Sequence, residues 1–133
     1  MIEYFKPEER HCAAMADLYR EAGWISAEAD TAFISAIIPT SLWLGAFDGE
    51  QLVGIARAIT DGASDGYIQD VVVAHSYRLR GIGGELVTRL TTELRGQGVD
   101  WIGLIAVPGS EPFYKSLGFE RLAEHTPMKL KLD

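Results

Sequence analysis

The sequence predicts a mixed α/β domain of the α+β kind: a central, mainly antiparallel sheet of about six to seven strands flanked by helices, in the order βααβββαβαββ. Three observations predict it. Apolar residues alternate or run together in the short segments "SLWLGAF", "QLVGIARAI" and "YIQDVVVA". After Gly81 the period changes, with Ile82, Leu86, Leu90 and Leu94 at i+4 steps. Glycine- and aspartate-rich turns punctuate the segments.

"MIEYFK" sets Ile2 and Tyr4 against Glu3 and reads as the first strand. Pro7 opens a helix with Glu8 and Glu9 in its first turn, where acids complement the helix dipole. His11, Met15, Leu18 and Ala22 share one face of it, and Gly23 is its stop. Ser26 is placed to cap a second helix carrying Ala29, Phe33 and Ile37, with Pro39 just past its end. "SLWLGAF" and "QLVGIARAI" are strands joined at Asp48-Gly49-Glu50, a tight hairpin signal. "DGASDG" is a loop, and "YIQDVVVA" is a long strand whose three valines suit burial on both faces.

The helix from Gly81 ends at "GQG", with Glu85 and Arg89 paired on its wet side. "DWIGLIAV", residues 100–107, is a strand parallel to the one before that helix. "PGSEPFYKSLG" holds a short helix, and "FERL" and "PMKLKL" are expected as two closing strands. No repeat or linker divides the chain, so residues 1–133 are expected to form one domain.

Net charge is −7, which argues against nucleic acid and anionic membranes as partners and is compatible with a cationic or amine substrate. No apolar run reaches the roughly 18 residues of a membrane span, and "MIEYFKPEER" lacks the apolar region of a signal peptide. Cys12 is the only cysteine, so an internal disulfide is impossible and a reducing, cytoplasmic setting is expected. His11, His75 and His125 are scattered, so no metal site is expected.

One stretch concentrates chemistry. "YRLRGIGGELVTRL" places Arg78, Leu79, Arg80, Gly81, Ile82, Gly83 and Gly84 between a strand and a helix. Free N–H groups at a helix start favour an anion, glycines let phosphate oxygens approach, and the two arginines add charge. The phosphate-loop pattern G-x-x-x-x-G-K-[ST] is absent, and the dinucleotide fingerprint lacks its third glycine.

Arg78-x-x-Gly81-x-Gly83 resembles the pyrophosphate signature [QR]-x-x-G-x-[GA] of the GCN5-related N-acetyltransferases, and "PFYKSLGFE" is similar to the family's "FYxKxGF" stretch about 30 residues on. The resemblance extends over nearly the whole chain. It implies acetyl-CoA as co-substrate, with its diphosphate on residues 78–84. It also implies that the strand carrying Val71, Val72 and Val73 splays from its neighbour, so that backbone N–H groups there meet the pantetheine arm and polarise the thioester carbonyl.

Tyr114 matches the tyrosine of the second motif and is the expected donor of a proton to the leaving thiolate. The base departs from the family pattern. Tyr67 and Ile102 stand where relatives carry glutamate. "YIQDVVV" resembles the "IEDVVV"-like strand of glucosamine-6-phosphate N-acetyltransferases, with Gln69 in place of the glutamate and Asp70 retained. Asp70 is therefore the carboxylate candidate, a water chain the alternative. Val107 replaces a frequent asparagine, and His75 a frequent proline.

The loop "EAGWISAE" is expected to border the acceptor, with Trp24 as a wall and Glu21 or Glu28 facing a cation; the alternative reads Trp24 as a loop anchor and the acids as solvated groups, as lone charges usually are. Arg57 is the one spare arginine of the central strands, whereas an amino-sugar phosphate would want a cluster. The expected function is transfer of acetyl to a primary amine of a small molecule or peptide, directly in a ternary complex. Cys12 is far in sequence from both motifs, so no covalent nucleophile is in evidence. A homodimer is expected because the family is often dimeric. The alternatives are an acyl-CoA-binding or regulatory module without catalysis, and a nucleotide-phosphate binder unrelated to CoA.

Overall fold

The computed structural model describes all residues, Met1–Asp133. Strand β1 (Ile2–Phe5) leads through a 3-10 turn into helix α1 (Cys12–Glu21). Helix α2 (Ala32–Ile37) precedes the antiparallel run β2 (Leu42–Asp48), β3 (Gln51–Thr60) and β4 (Asp65–Val73). Helix α3 (Ile82–Gly96), strand β5 (Trp101–Gly103) and helix α4 (Glu111–Ser116) complete the elements. The sheet order is β1-β2-β3-β4-β5, antiparallel except for the parallel pair β4–β5.

Two apolar layers sandwich the sheet. On one face Ile82, Leu86, Leu90 and Leu94 of α3 meet Leu42, Leu44, Val53, Ala56 and Ile68. On the other, Met15, Leu18 and Tyr19 of α1 and Ile34 of α2 meet Trp43, Phe47, Ile55 and Val72. The i+4 stripe after Gly81 is thus the buried face of α3. Both faces of β2 and β3 are covered, which is why they read as apolar runs rather than strict alternation. Gly49 and Glu50 turn the hairpin between the paired Asp48 and Gln51, with Gly49 at φ 60°.

The sheet has five strands rather than six to seven. "PMKLKL" alternates as a strand should, but residues 120–133 lie exposed and unpaired. Arg121 instead makes a two-bond ion pair with Glu111, 2.7 and 2.8 Å, which holds the chain against α4, and Pro127 offers no N–H to a ladder. Strand β5 spans three residues instead of 100–107, because its pairing with β4 ends at Tyr67–Gly103. Helix α2 starts later than the Ser26 cap implied. The Asp30 side chain accepts the Ala32 N–H at 2.9 Å, while Ser26 closes a turn with Ala29. Pro39 stands inside a 3-10 turn that continues α2.

Candidate active site

The pairing of β4 with β5 stops at Tyr67–Gly103, so β4 from Ile68 to Val73, still paired with β3, has no neighbour on its β5 side. Ala74 N–H donates to Val53 O at 2.7 Å, toward β3. By the alternation of the ladder, Val71 and Val73 direct their backbone groups into the gap, and Val72 directs its own to Ile55. Arg78 Nε donates to Val73 O at 3.1 Å, fastening the next loop to the end of β4.

That loop uses left-handed backbone at Leu79 (φ 64°) and Gly81 (φ 80°). Leu79 is fully exposed, so its contribution is backbone shape. Gly81 is the N-cap of α3 and has no side chain to satisfy the first N–H groups of the helix. Those of Ile82, Gly83 and Gly84 therefore stand free at the positive end of a fifteen-residue helix. Ile82 itself points into the core. Arg80 donates to Ser76 O at 3.3 Å and lies over the Tyr77 ring, 4.8 Å from its centroid. A Cβ on Gly83 would stand 3.5 Å from the Phe113 ring and 3.7 Å from Val73, and one on Gly84 3.6 Å from Leu117. The start of α3 is thus bracketed by the end of β4 and by α4. A cradle of free N–H groups with two guanidinium groups beside it suits a diphosphate.

Tyr114, on α4 next to Phe113, stacks edge-on with Phe113 and Phe119. Its hydroxyl bonds to no other residue, and burial raises its pKa, so the phenol stays protonated. Together with Tyr67, Ile102 and Leu104 it lines a broad cleft between β5 and residues 117–127.

Asp70 occupies an unusual place. Ile55 pairs with Val72 and Arg57 with Gln69, so Asp70 and Val71 together face Ala56 in a β-bulge. Asp70 adopts φ 57°, which aspartate tolerates better than most side chains. Its Oδ2 accepts from Tyr19 Oη at 2.5 Å and from Arg57 Nε at 2.7 Å. Arg57 also donates to Ser41 Oγ at 3.1 Å and lies over the Trp43 ring. The ion pair is mostly buried, with side-chain exposures of 13% and 14%. Burial, then the bond to Asp70, drives the Tyr19 pKa far up. No hydrogen bond joins Asp70 to Tyr114.

Trp24 meets the Tyr19 ring edge-on, 5.3 Å between centroids, and Phe33 meets it at 5.8 Å. Gln69 sits one residue before the bulge, opposite Arg57. Glu28 is exposed and makes no ion pair, whereas Glu21 accepts the His75 N–H and ties the end of α1 to the end of β4. Sequence reasoning misses Tyr19 and Phe33 as site residues. The signals for this network are Arg57 inside an otherwise apolar strand and Tyr19 next to Leu18 on the buried face of α1. No group of three His, Cys, Asp or Glu side chains stands close enough to hold a metal ion, and no helix is long and apolar enough to cross a membrane.

The site is therefore an uncapped helix start beside a parallel strand pair whose pairing stops at Tyr67–Gly103. The chain belongs to the acetyltransferase (GNAT) family, whose model matches residues 2–119. Over 67 residues it is 43% identical to serotonin N-acetyltransferase 2, chloroplastic, of Oryza sativa subsp. japonica, which covers 50% of this chain and 34% of that protein. The chain spans between about a third and three fifths of the length of the first curated relatives it matches. A solved Trypanosoma brucei acetyltransferase superposes with TM-score 0.83 at 26% identity, covering 99% of this chain and 100% of that one. A predicted acetyltransferase from Clostridium acetobutylicum, solved with acetyl-CoA, superposes with TM-score 0.78 at 19% identity, covering 97% and 96%. The family uses acetyl-CoA and supports N-acetyl transfer in general.

Proposed function

We propose that this chain is an acetyl-CoA-dependent N-acetyltransferase that moves acetyl to a primary amine of a small molecule or peptide, directly in a ternary complex. The observation that carries this reading is the end of pairing between β4 and β5 at Tyr67–Gly103, beside the uncapped start of α3. Residues 78–84 hold the diphosphate through backbone N–H groups, Arg78 and Arg80. The free backbone edge at Val71 and Val73 receives the pantetheine arm and polarises the thioester carbonyl.

The amine nitrogen bonds to the acetyl carbon as the carbon–sulfur bond breaks. The thiolate takes a proton from Tyr114, and the amine gives its proton to Asp70 or to water. Thiol release from acetyl-CoA with a panel of amines tests the proposal. Tight acetyl-CoA binding without turnover of any amine would defeat it and favour an acyl-CoA-binding module. That second reading draws on the absence of carboxylates at Tyr67 and Ile102. A thermal shift with ATP or NAD but none with acetyl-CoA would instead point to a nucleotide-phosphate binder. A reducing compartment such as the cytoplasm and a homodimeric assembly complete the proposal.

A further inference from the structure

Three aromatic rings gather at the Asp70 bulge, and their exposure divides them. Tyr19 is 4% exposed and suffices to pack α1 on the sheet. Trp24 and Phe33, which flank it, are 44% and 39% exposed. Two partly exposed rings that both pack on Tyr19, whose hydroxyl bonds a carboxylate, form a surface for an apolar body with a polar tip. Arg57 is committed to Asp70, Ser41 and the Trp43 face, so a phosphate here would have to break that network.

We propose that the acceptor is a primary amine carried on an aromatic body, which stacks on Trp24 and Phe33 and hydrogen-bonds through its nitrogen to Asp70. The inference rests on the acetyltransferase reading and specifies its second substrate. Asp70 Oδ1 receives no donor from the protein and is the oxygen available to the amine N–H, since Oδ2 holds Tyr19 and Arg57. Because the Arg57 guanidinium already pairs with Asp70, the carboxylate holds an ammonium less strongly than a lone carboxylate would. Tyr19 is a positioning residue: it fixes the carboxylate and seats both rings.

The test measures thiol release from acetyl-CoA with 2-phenylethylamine and with ethanolamine, in the wild type, Trp24→Ala and Phe33→Ala. The expected result is a kcat/KM for 2-phenylethylamine at least about tenfold above that for ethanolamine. Each variant should raise KM for 2-phenylethylamine about tenfold and bring its kcat/KM down toward that for ethanolamine, with acetyl-CoA affinity, read at a separate site, as the check that the fold persists. Because Phe33 and Trp24 lie on different segments, one variant stands in if the other fails to fold. Equal use of the two amines, or variants that weaken both alike, would overturn the aromatic acceptor while leaving the transferase intact. Absence of thiol release with any amine, with acetyl-CoA still bound, would overturn both.

Discussion

The start of α3 and the bulge of β4 are built on opposite principles. At α3 the working groups are backbone N–H donors, and side chains are conspicuous by their removal: Gly81, Gly83 and Gly84 keep the approach open. At the bulge the working groups are side chains from four places, with Tyr19 on α1, Ser41 before β2, Arg57 on β3 and Asp70 on β4 held in one network. A backbone site can be altered without moving the core beneath it. A side-chain network is part of the core's edge, so changing it costs stability.

The sharpest way to break this contrast is Gly83→Glu. A Cβ at that position meets its neighbours at ordinary van der Waals distances, so the fold should persist, while acetyl-CoA affinity should fall by roughly 100-fold or more, about 2.7 kcal/mol. Calorimetric titration with circular dichroism reads both, and retained affinity would mean the cradle lies elsewhere. Tyr114→Phe should lower kcat by about 10²–10⁴ with little change in either KM, because it removes only a proton donor. An undiminished kcat would strip Tyr114 of its role.

Arg57→Ala should act oppositely to the glycine variant. It leaves Asp70 and Tyr19 partly buried without their cation and should cost about 2–4 kcal/mol in urea unfolding, with acetyl-CoA affinity nearly unchanged. A loss confined to cofactor binding would erase the distinction between the two regions.

The pH dependence is a smaller effect. Burial raises the Tyr114 pKa above 10.0, so the unfolded phenol ionises first as pH rises. Its contribution to stability is complete below pH 10.0 and is lost as pH climbs through the folded value. Unfolding midpoints of the wild type should therefore fall more steeply above pH 10.0 than those of Tyr114→Phe. The smallest effect concerns Glu111, whose pKa is lowered to about 2 by its bonds to Arg121 and Lys115. Its tether on the C-terminal segment is present above the unfolded carboxylate range and disappears as pH falls through about 2. Hydrogen exchange of residues 119–122 in Glu111→Gln should already resemble the acid state at neutral pH.

The same contrast governs what could be read in advance. The loop and uncapped start of α3 were legible because they leave a contiguous trace: glycines, arginines and an i+4 stripe in one stretch. The helices α1 and α3 and the run β2–β4 were legible because their periodicity reflects burial on the sheet. The bulge network was not, since its four side chains are up to 51 residues apart and only the sheet register brings Arg57 beside Asp70. Nor was the fate of "PMKLKL", whose alternation says what a strand would bury but not whether an edge is there to receive it.

Asp70 is a supernumerary residue in its strand. With position 70 skipped, Gly66, Ile68, Val71 and Val73 alternate without interruption toward α3, while Gln69 and Val72 fall on the α1 side, and Val72 still meets Ile55. A deletion of that single codon would therefore leave the hydrophobic phase of the strand intact while removing the carboxylate, its left-handed backbone and the buried partner of Arg57 and Tyr19.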